Sequence, residues 1–215
     1  MAEIEALLQG FRRFRSHYFQ ANRALFNQLA QRGQSPKTMV IGCSDARVDP
    51  AVITDAAPGD LFVVRNVANL VPPYENDGVH HGTSAALEFA VCNLKVNNIV
   101  VLGHAHCGGI QALLEGYGEQ HEGEGFIAPW MKMALSARQK VLDRWPDDGK
   151  AVQQCACERA GILVSLDNLM TFPFVKQRVE DGRLRLFGWY FDIENGELLQ
   201  YDPEKHHFHD LFEWE

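Results

Sequence analysis

The residues best suited to chemistry lie in the stretch VLGHAHCGG, residues 101 to 109, at the end of an apolar run. It places His104, His106 and Cys107 within four positions, and a His-x-x-Cys spacing lets an imidazole and a thiolate bind one metal ion. Such a pair is more often structural than metal-binding. By itself it also leaves both histidines open as the ligand.

Cys43 strengthens the case for a metal, because it too follows an apolar segment that closes with glycine, TMVIG at 38 to 42. That segment and NNIVVLG, residues 97 to 103, are typical of short buried strands. Residues just past the carboxyl ends of parallel strands meet at one edge of a sheet, where sites are built. Cys43 is therefore expected beside the cluster.

The expected ligands are Cys43, His104 and Cys107, with His106 as a spacer turned from the metal. Two cysteines and one histidine are a typical catalytic zinc set, which leaves a fourth position for water. Iron and copper fit this set less well. The pattern therefore predicts one zinc ion per chain.

The segment CSDAR places Asp45 and Arg47 beside the first ligand. An isolated aspartate usually caps a turn, but an arginine two positions away can hold its carboxylate with two hydrogen bonds and keep it off the metal. Asp45 is then expected to accept a hydrogen bond from a zinc-bound hydroxide and to orient it.

Four motifs resemble, in their order and spacing, those of the β-class carbonic anhydrases, and the likeness runs from about Gln34 to about 192. They are CSDAR (43–47), VVRNVAN (63–69), HGTSAALEFAV (81–91) and GHAHCGG (103–109). The resemblance implies a lyase in which zinc-bound hydroxide attacks CO2 to give bicarbonate, with Asp45 and Arg47 at the catalytic site. It also implies a homo-dimer or higher homo-oligomer, with active sites near the subunit interface and an N-terminal arm that reaches the neighbour.

Within the family, the sequence is most similar to the plant-like branch. That likeness implies a substrate pocket for CO2 and bicarbonate made by Gln34, Phe62, Val67, Phe89 and Gly108. Without the resemblance, these positions are a surface glutamine and ordinary core residues.

Some positions depart from the family pattern. Ala46 stands where serine is usual, which removes a hydroxyl but no zinc ligand. Some members are switched off when bicarbonate binds a side pocket made by a Trp, an Arg and a Tyr. Here Arg65 matches, but Val40 and Phe191 occupy the other two positions. We therefore expect Asp45 to stay paired with Arg47.

The strand and helix patterns of the segments that carry these residues predict an α/β fold with a central, mostly parallel β-sheet flanked by helices. A helical stripe from Ile4 to about Gly33 predicts a long N-terminal arm, which packs either on its own domain or on another subunit. The expected organisation is one zinc-dependent domain, residues 1–215, with the arm at 1–33 and the catalytic core and C-terminal tail at 34–215. The remaining expected elements are a strand at 61–65, helices at 82–94, 126–144, 151–168 and 173–181, an acidic loop at 116–125, a hairpin at 183–202 and a loosely held tail.

Composition narrows the class of protein. A net charge of −8 does not favour binding to nucleic acid or to an anionic membrane. No apolar run reaches the length of a membrane span. The first residues do not resemble a secretory signal. An odd count of five cysteines does not suggest a disulfide framework, so we expect a cytoplasmic protein.

Several alternatives stay open. The same zinc site could hydrolyse carbonyl sulfide or carbon disulfide, and a non-catalytic zinc-stabilised binding protein is also possible. Cys155 and Cys157 could form a second metal or redox site, although neighbours two apart on a helix point away from each other. His80 and His81 could serve as proton shuttles, but solvated loop histidines are commoner.

Overall fold

The computed structural model of the chain describes residues 2–117 and 125–212, so most of the expected acidic loop lies outside the described residues. The chain divides into two compact units, one that ends at Ser35 and one that begins at Pro36. Within the described ranges, no helix is both long enough and apolar enough to cross a membrane.

The N-terminal unit contains three helices, α1 (Ala2–Ser16), α2 (Tyr18–Ala21) and α3 (Arg23–Arg32). The expected helical arm is confirmed and ends at Gly33 as predicted, but two single-residue breaks divide it into three helices. His17 Nδ1 bonds the Arg13 carbonyl oxygen at 3.1 Å, and Asn22 Nδ2 donates to the Tyr18 carbonyl oxygen at 2.9 Å. Such side-chain bonds compete with the helical ladder, and both breaks fall at these two residues.

The N-terminal unit has no core of its own, because none of the residues of its three helices is buried. Its aromatic rings instead pack on one another along the helices, as in the contact between Phe19 and Phe26 with centroids 4.8 Å apart. Ile4, Leu7 and Phe11 remain more than half exposed. An apolar face is thus left uncovered within this unit.

The second unit is built on one six-stranded sheet with the order β2-β1-β3-β4-β5-β6. The first four strands in sequence are parallel, and β5 and β6 are antiparallel to their neighbours. The expected mostly parallel sheet with a C-terminal hairpin is confirmed. The strands are β1 (Thr38–Cys43), β2 (Leu61–Asn66), β3 (Asn98–His104), β4 (Arg185–Asp192), β5 (Glu197–Asp202) and β6 (His207–Asp210).

Strand β6 corrects the expectation of a loosely held tail. Phe208 pairs with Tyr201 across the β5–β6 ladder, and their rings lie 5.4 Å apart. The Phe208 ring also lies 6.4 Å from that of Tyr190 on β4. These aromatic contacts anchor the strand.

The helices of this unit cover the sheet. They are α4 (Pro50–Ile53), α5 (Gly82–Glu88), α6 (Gly108–Leu114), α7 (Ile127–Lys132), α8 (Leu135–Arg144), α9 (Lys150–Leu169) and α10 (Pro173–Glu180). Helix α5 continues as a π-helical turn over Phe89–Leu94. Cys92 lies on the apolar side of the helical pattern at 82–94, which predicts burial, but it is exposed within this wider turn.

Helix α9 crosses the sheet where two strands carry glycine. A Cβ atom on Gly103 of β3 would lie 2.7 Å from Ile162 Cδ1, and one on Gly188 of β4 would lie 2.9 Å from Ile162 Cγ2. The missing side chains therefore let Ile162 and α9 approach the sheet closely. Glu158 lies one helical turn earlier on the same face of α9.

Candidate metal centre

The expected metal ligands come from adjacent parallel strands and the helix that follows one of them. Cys43 is the last residue of β1 and His104 is the last residue of β3, so both lie at the carboxyl edge of the sheet. Cys107 follows after a short turn and forms the N-cap of α6. The parallel register thus brings together residues that are 61 to 64 positions apart.

The three side chains have the geometry of a zinc site. Their ligand atoms lie within 4.8 Å of one another, and the Sγ atoms of Cys43 and Cys107 are 3.9 Å apart. Two sulfurs bound tetrahedrally at about 2.3 Å from zinc would be roughly 3.8 Å apart, so the thiols fit the ion. His104 Nδ1 donates to the Ala105 carbonyl oxygen at 2.8 Å, whereas its buried Nε2 has no hydrogen-bond partner. Nε2 is therefore the ligand atom that the fold prepares.

The electrostatics of the cluster favour metal binding. The hydrogen bond from Cys107 lowers the pKa of Cys43 to about 4, against the opposing effect of burial. The same contact raises the pKa of Cys107, because two adjacent buried thiols resist losing both protons. Burial lowers the pKa of His104, but the nearby Cys43 thiolate, the Ala105 carbonyl oxygen and Asp45 together outweigh burial and raise it. A divalent cation would balance the two negative charges of the thiolates and would bind the neutral imidazole.

His106 is directed away from the cluster. Its backbone is left-handed with φ of 57°, and its Nε2 lies 3.0 Å from Glu194 Oε1 on the turn between β4 and β5. Its carbonyl oxygen accepts a hydrogen bond from Arg47 Nη2 at 3.0 Å. The backbone of His106 therefore anchors Arg47, while its ring has no part in the cluster.

Asp45 and Arg47 form a two-point ion pair. Arg47 Nε donates to Asp45 Oδ1 at 2.9 Å, and Arg47 Nη2 donates to Oδ2 at 2.7 Å. The backbone N–H of Arg47 also donates to Oδ1 at 3.0 Å. These hydrogen bonds hold the pKa of Asp45 well below its usual range. The carboxylate stays ionised, and Oδ2 keeps a free lone pair.

Arg65 fixes the segment that carries these residues. Its guanidinium donates to the carbonyl oxygens of Cys43 at 2.9 Å and Asp45 at 2.6 Å, and to Asp49 Oδ2 at 2.8 Å. Asp49 in turn accepts from the N–H of Ala51 and caps α4. The arginine that matches the family's side pocket is thus engaged by the protein itself.

Glu158 is a site residue that the sequence did not reveal. It is 3% exposed, and its Oε1 accepts the backbone N–H of Cys107 at 2.9 Å and the Nε2 of Gln154 at 3.0 Å. Its Oε2 accepts the hydroxyl of Tyr190 at 2.8 Å. The available signal was a charged residue within the buried stripe of α9, since Glu158, Gly161, Ile162 and Ser165 are all buried.

A cavity of about 720 Å³ opens beside the cluster, and Ser44, Val67, His81 and Trp130 are among its lining residues. Ser44 directly follows Cys43, and Trp130 Nε1 donates to the Val67 carbonyl oxygen at 2.8 Å. Of the expected pocket residues, Val67 therefore lies near the metal centre. His80 also lines this cavity, as a shuttle would require.

Phe62 and Phe89 contact each other, with ring centroids 5.9 Å apart. Phe62 pairs with Met39 and Cys43 pairs with Asn66, so Phe62 lies four residues from the site along β2. At about 3.3 Å per residue this is roughly 13 Å. Within a single chain, Phe62 therefore lies apart from the metal ligands.

Gln34 is exposed and directly follows Gly33, the C-cap of α3, in the N-terminal unit. Gly108 begins α6 next to Cys107, and a Cβ atom there would meet no heavy atom within 4 Å.

Cys155 and Cys157 do not form a shared metal site, because neither belongs to a group of metal-ligating side chains in the described part of the chain.

The substitution Gly109→Ala is expected to lower the free energy of unfolding by about 1–3 kcal/mol. Its Cβ would lie 2.9 Å from Val67 Cγ1 and 3.1 Å from the Cβ of Ala68, whose backbone is already left-handed. Gly108→Ala is the matched control, because that position is open. Urea unfolding would measure both, and equal midpoints would contradict the close approach at Gly109.

Comparisons with known proteins agree on one family. The family model described as carbonic anhydrase matches residues 38–198. A carbonic anhydrase of Synechocystis sp. is 40% identical over 206 residues, which cover 95% of this chain and 73% of the relative. One of Synechococcus elongatus is 37% identical over 199 residues, which cover 92% and 71%.

Solved structures give the same result. The β-carbonic anhydrase CcaA is 37% identical with a TM-score of 0.90, and the match covers 99% of this chain and 94% of that chain. A tetrameric β-carbonic anhydrase of Sordaria macrospora is 27% identical with a TM-score of 0.80, over 93% of this chain and 97% of that chain.

Proposed function

The chain belongs to the β-class carbonic anhydrases, zinc enzymes that hydrate CO2 reversibly to bicarbonate and a proton, and we propose which residues carry that reaction here. Cys43, His104 and Cys107 hold the zinc. The observation that supports this is the convergence of their ligand atoms within 4.8 Å, with His104 Nε2 buried and unbonded. When bound, zinc supplies a Lewis acid that lowers the pKa of a water molecule and so provides a nucleophile.

Asp45 orients the attacking water. Arg47 donates two hydrogen bonds to Asp45 Oδ1 but only one to Oδ2, which leaves Oδ2 able to accept one further hydrogen bond. Because the carboxylate stays ionised, it accepts this bond rather than donating one. Arg47 has a positioning role: it contacts Asp45 and the His106 carbonyl oxygen and keeps the carboxylate from moving.

The substrate pocket is proposed to be shared between subunits. Val67 and Gly108 lie beside the metal ligands of their own chain. The Phe62–Phe89 pair lies away from those ligands, so we infer that it serves the pocket of a neighbouring subunit, together with Gln34. Relatives described as tetrameric support a homo-oligomer.

The arm at 1–33 is proposed to pack on the neighbouring subunit, as part of one zinc-dependent domain whose catalytic core and tail occupy 34–215. The exposed apolar residues of α1 support this role. None of the five cysteines forms a disulfide, which supports a reducing, cytoplasmic setting. Membership of the plant-like branch stays a prediction.

Metal analysis together with a stopped-flow CO2 hydration assay tests the function. We expect one zinc per chain and CO2 hydration far above the uncatalysed rate. The relatives are carbonic anhydrases, so hydrolysis of carbonyl sulfide or carbon disulfide and a purely structural zinc are not favoured. One zinc per chain without hydration activity, at neutral and alkaline pH, would refute the proposal.

The substitution Asp45→Asn is expected to keep zinc and to lower the hydration rate by about 10²-fold. An amide nitrogen in place of Oδ2 would face another donor, Arg47 Nη2, and could not accept a hydrogen bond from the water. Asp181→Asn is the matched control, because Asp181 also pairs with an arginine two positions on, Arg183, in an exposed pair. Equal rates in the two variants would contradict the role of Asp45.

A further inference from the structure

A second groove lies between α8, α9 and the β5–β6 hairpin, and we call it the α8–α9 groove. Its volume is about 700 Å³, within the usual range for small-molecule sites, and it shares no lining residue with the cavity beside the metal centre. Its lining residues include Lys140, Val141, Arg144, Arg159, Leu163 and Phe208.

Three cations border the groove without any acidic partner. Lys140, Arg144 and Arg159 line it, no Asp or Glu does, and none of the three makes an ion pair or hydrogen bond to described residues. The chain as a whole carries a net charge of −8. A local excess of unpaired positive charge in an acidic protein favours an anion.

A second basic depression gives a contrast. It is lined by Lys95, Arg178, Arg183 and Arg185, but its arginines bond to the protein. Arg178 donates to the carbonyl oxygens of Val91 and Val96, both at 3.0 Å, and Arg185 donates to Asn98. Arg178 and Arg185 are thus held by the protein itself, whereas the cations of the α8–α9 groove are not used in this way.

Arg159 is held in place by aromatic rings. Its guanidinium carbon lies 4.8 Å from the ring centroid of Tyr190 and 5.8 Å from that of Phe208. Its Nε is buried and makes no hydrogen bond. Contacts with ring faces fix the orientation of a guanidinium without neutralising its charge. Arg159 is thus preorganised for an anionic group.

The groove also has apolar walls. Val141 of α8 and Leu163 of α9 line the groove. The guanidinium carbon of Arg144 lies 4.9 Å from the ring centroid of Trp145. A bare inorganic ion would leave these walls in contact with water. A ligand that has both an anionic group and an apolar body matches both features.

We propose that the α8–α9 groove binds a small organic anion, a carboxylate carried on an aromatic or aliphatic body. The carboxylate contacts Arg159 and Arg144, and the body lies against Trp145 and Leu163. This binding site is separate from the metal centre and from CO2 hydration.

Calorimetric titration of the zinc-loaded protein with benzoate tests the proposal. Arg159→Gln is expected to weaken benzoate binding at least about tenfold, since it removes a preorganised charge-assisted contact. Arg144→Gln, on an exposed helix face where the fold should tolerate it, is expected to weaken binding about threefold. Arg185→Gln removes the same charge elsewhere and should leave binding unchanged. Equal weakening by all three variants would overturn the proposal.

Two further readouts locate the ligand. In crystals soaked with 4-bromobenzoate, the anomalous signal of bromine is expected in the α8–α9 groove, and a signal only at the metal centre would overturn the site. Inorganic phosphate is expected to bind more weakly than benzoate, and equal or tighter binding would refute an organic ligand. The CO2 hydration rate of Arg159→Gln should match that of the wild type, so a lost binding event cannot be assigned to a damaged metal centre.

Discussion

Cys107→Ser is expected to yield a protein that lacks zinc and hydrates CO2 at least about 10³-fold more slowly than the wild type. Cys107 is one of only two sulfur donors in the buried cluster, and a serine hydroxyl does not ionise at neutral pH to replace a thiolate. Elemental analysis of the purified protein and a stopped-flow assay measure the two effects. Stoichiometric zinc in this variant would contradict the ligand assignment.

His106→Asn is the matched control, because His106 adjoins Cys107 yet directs its ring to Glu194. Asparagine tolerates the left-handed backbone at this position, where φ is 57°. The carbonyl oxygen that anchors Arg47 is kept. Zinc content and rate should therefore stay close to those of the wild type. Zinc loss here would show that the sequence selects the wrong histidine.

The strands that present the ligands could be predicted because their physical signal is local. TMVIG and NNIVVLG are short apolar runs, and five of the six residues of β1 are buried. A run that is buried on both faces has few alternatives to a parallel strand. Once both strands are parallel neighbours, the convergence of Cys43 with His104 follows from topology.

The elements that sequence reasoning missed depend on competing local effects. The arm breaks at His17 and Asn22, where side-chain hydrogen bonds interrupt an apolar stripe that continues on either side. Strand β6 was missed because the sequence of the tail contains no diagnostic motif. The alternation from His207 to Asp210 is nevertheless the period of a strand, and Phe208 supplies the contact that fixes it.

The pocket could not be predicted completely, because the sequence does not show which of the expected pocket residues lie near the metal ligands of their own chain. The resemblance implies Phe62 and Phe89 as pocket residues, but the register of β2 places Phe62 four residues from Asn66, the partner of Cys43. No local pattern reports which surface belongs to a neighbouring subunit. Glu158 was also missed, because it is 51 residues away in sequence from Cys107, whose backbone N–H donates a hydrogen bond to it.

Glu158→Leu is expected to lower the free energy of unfolding by about 3–5 kcal/mol. Leucine leaves the buried Cys107 N–H without an acceptor and leaves the Tyr190 hydroxyl with only Cys155 Sγ, at 3.7 Å. The substitution should also weaken zinc binding about 10–100-fold, since the hydrogen bond from the Cys107 N–H to Glu158 fixes the position of a metal ligand. Urea unfolding gives the first effect, and competition with a chelator gives the second.

Tyr190→Phe separates these two effects. It removes one hydrogen bond to the carboxylate but leaves the bond between Glu158 and Cys107, so it should cost about 1.5–3 kcal/mol with little change in zinc affinity. Glu158→Gln should restore zinc affinity, because its amide oxygen can accept the Cys107 N–H. If Tyr190→Phe and Glu158→Leu weakened zinc binding equally, Glu158 would act through general packing and not through the metal ligand.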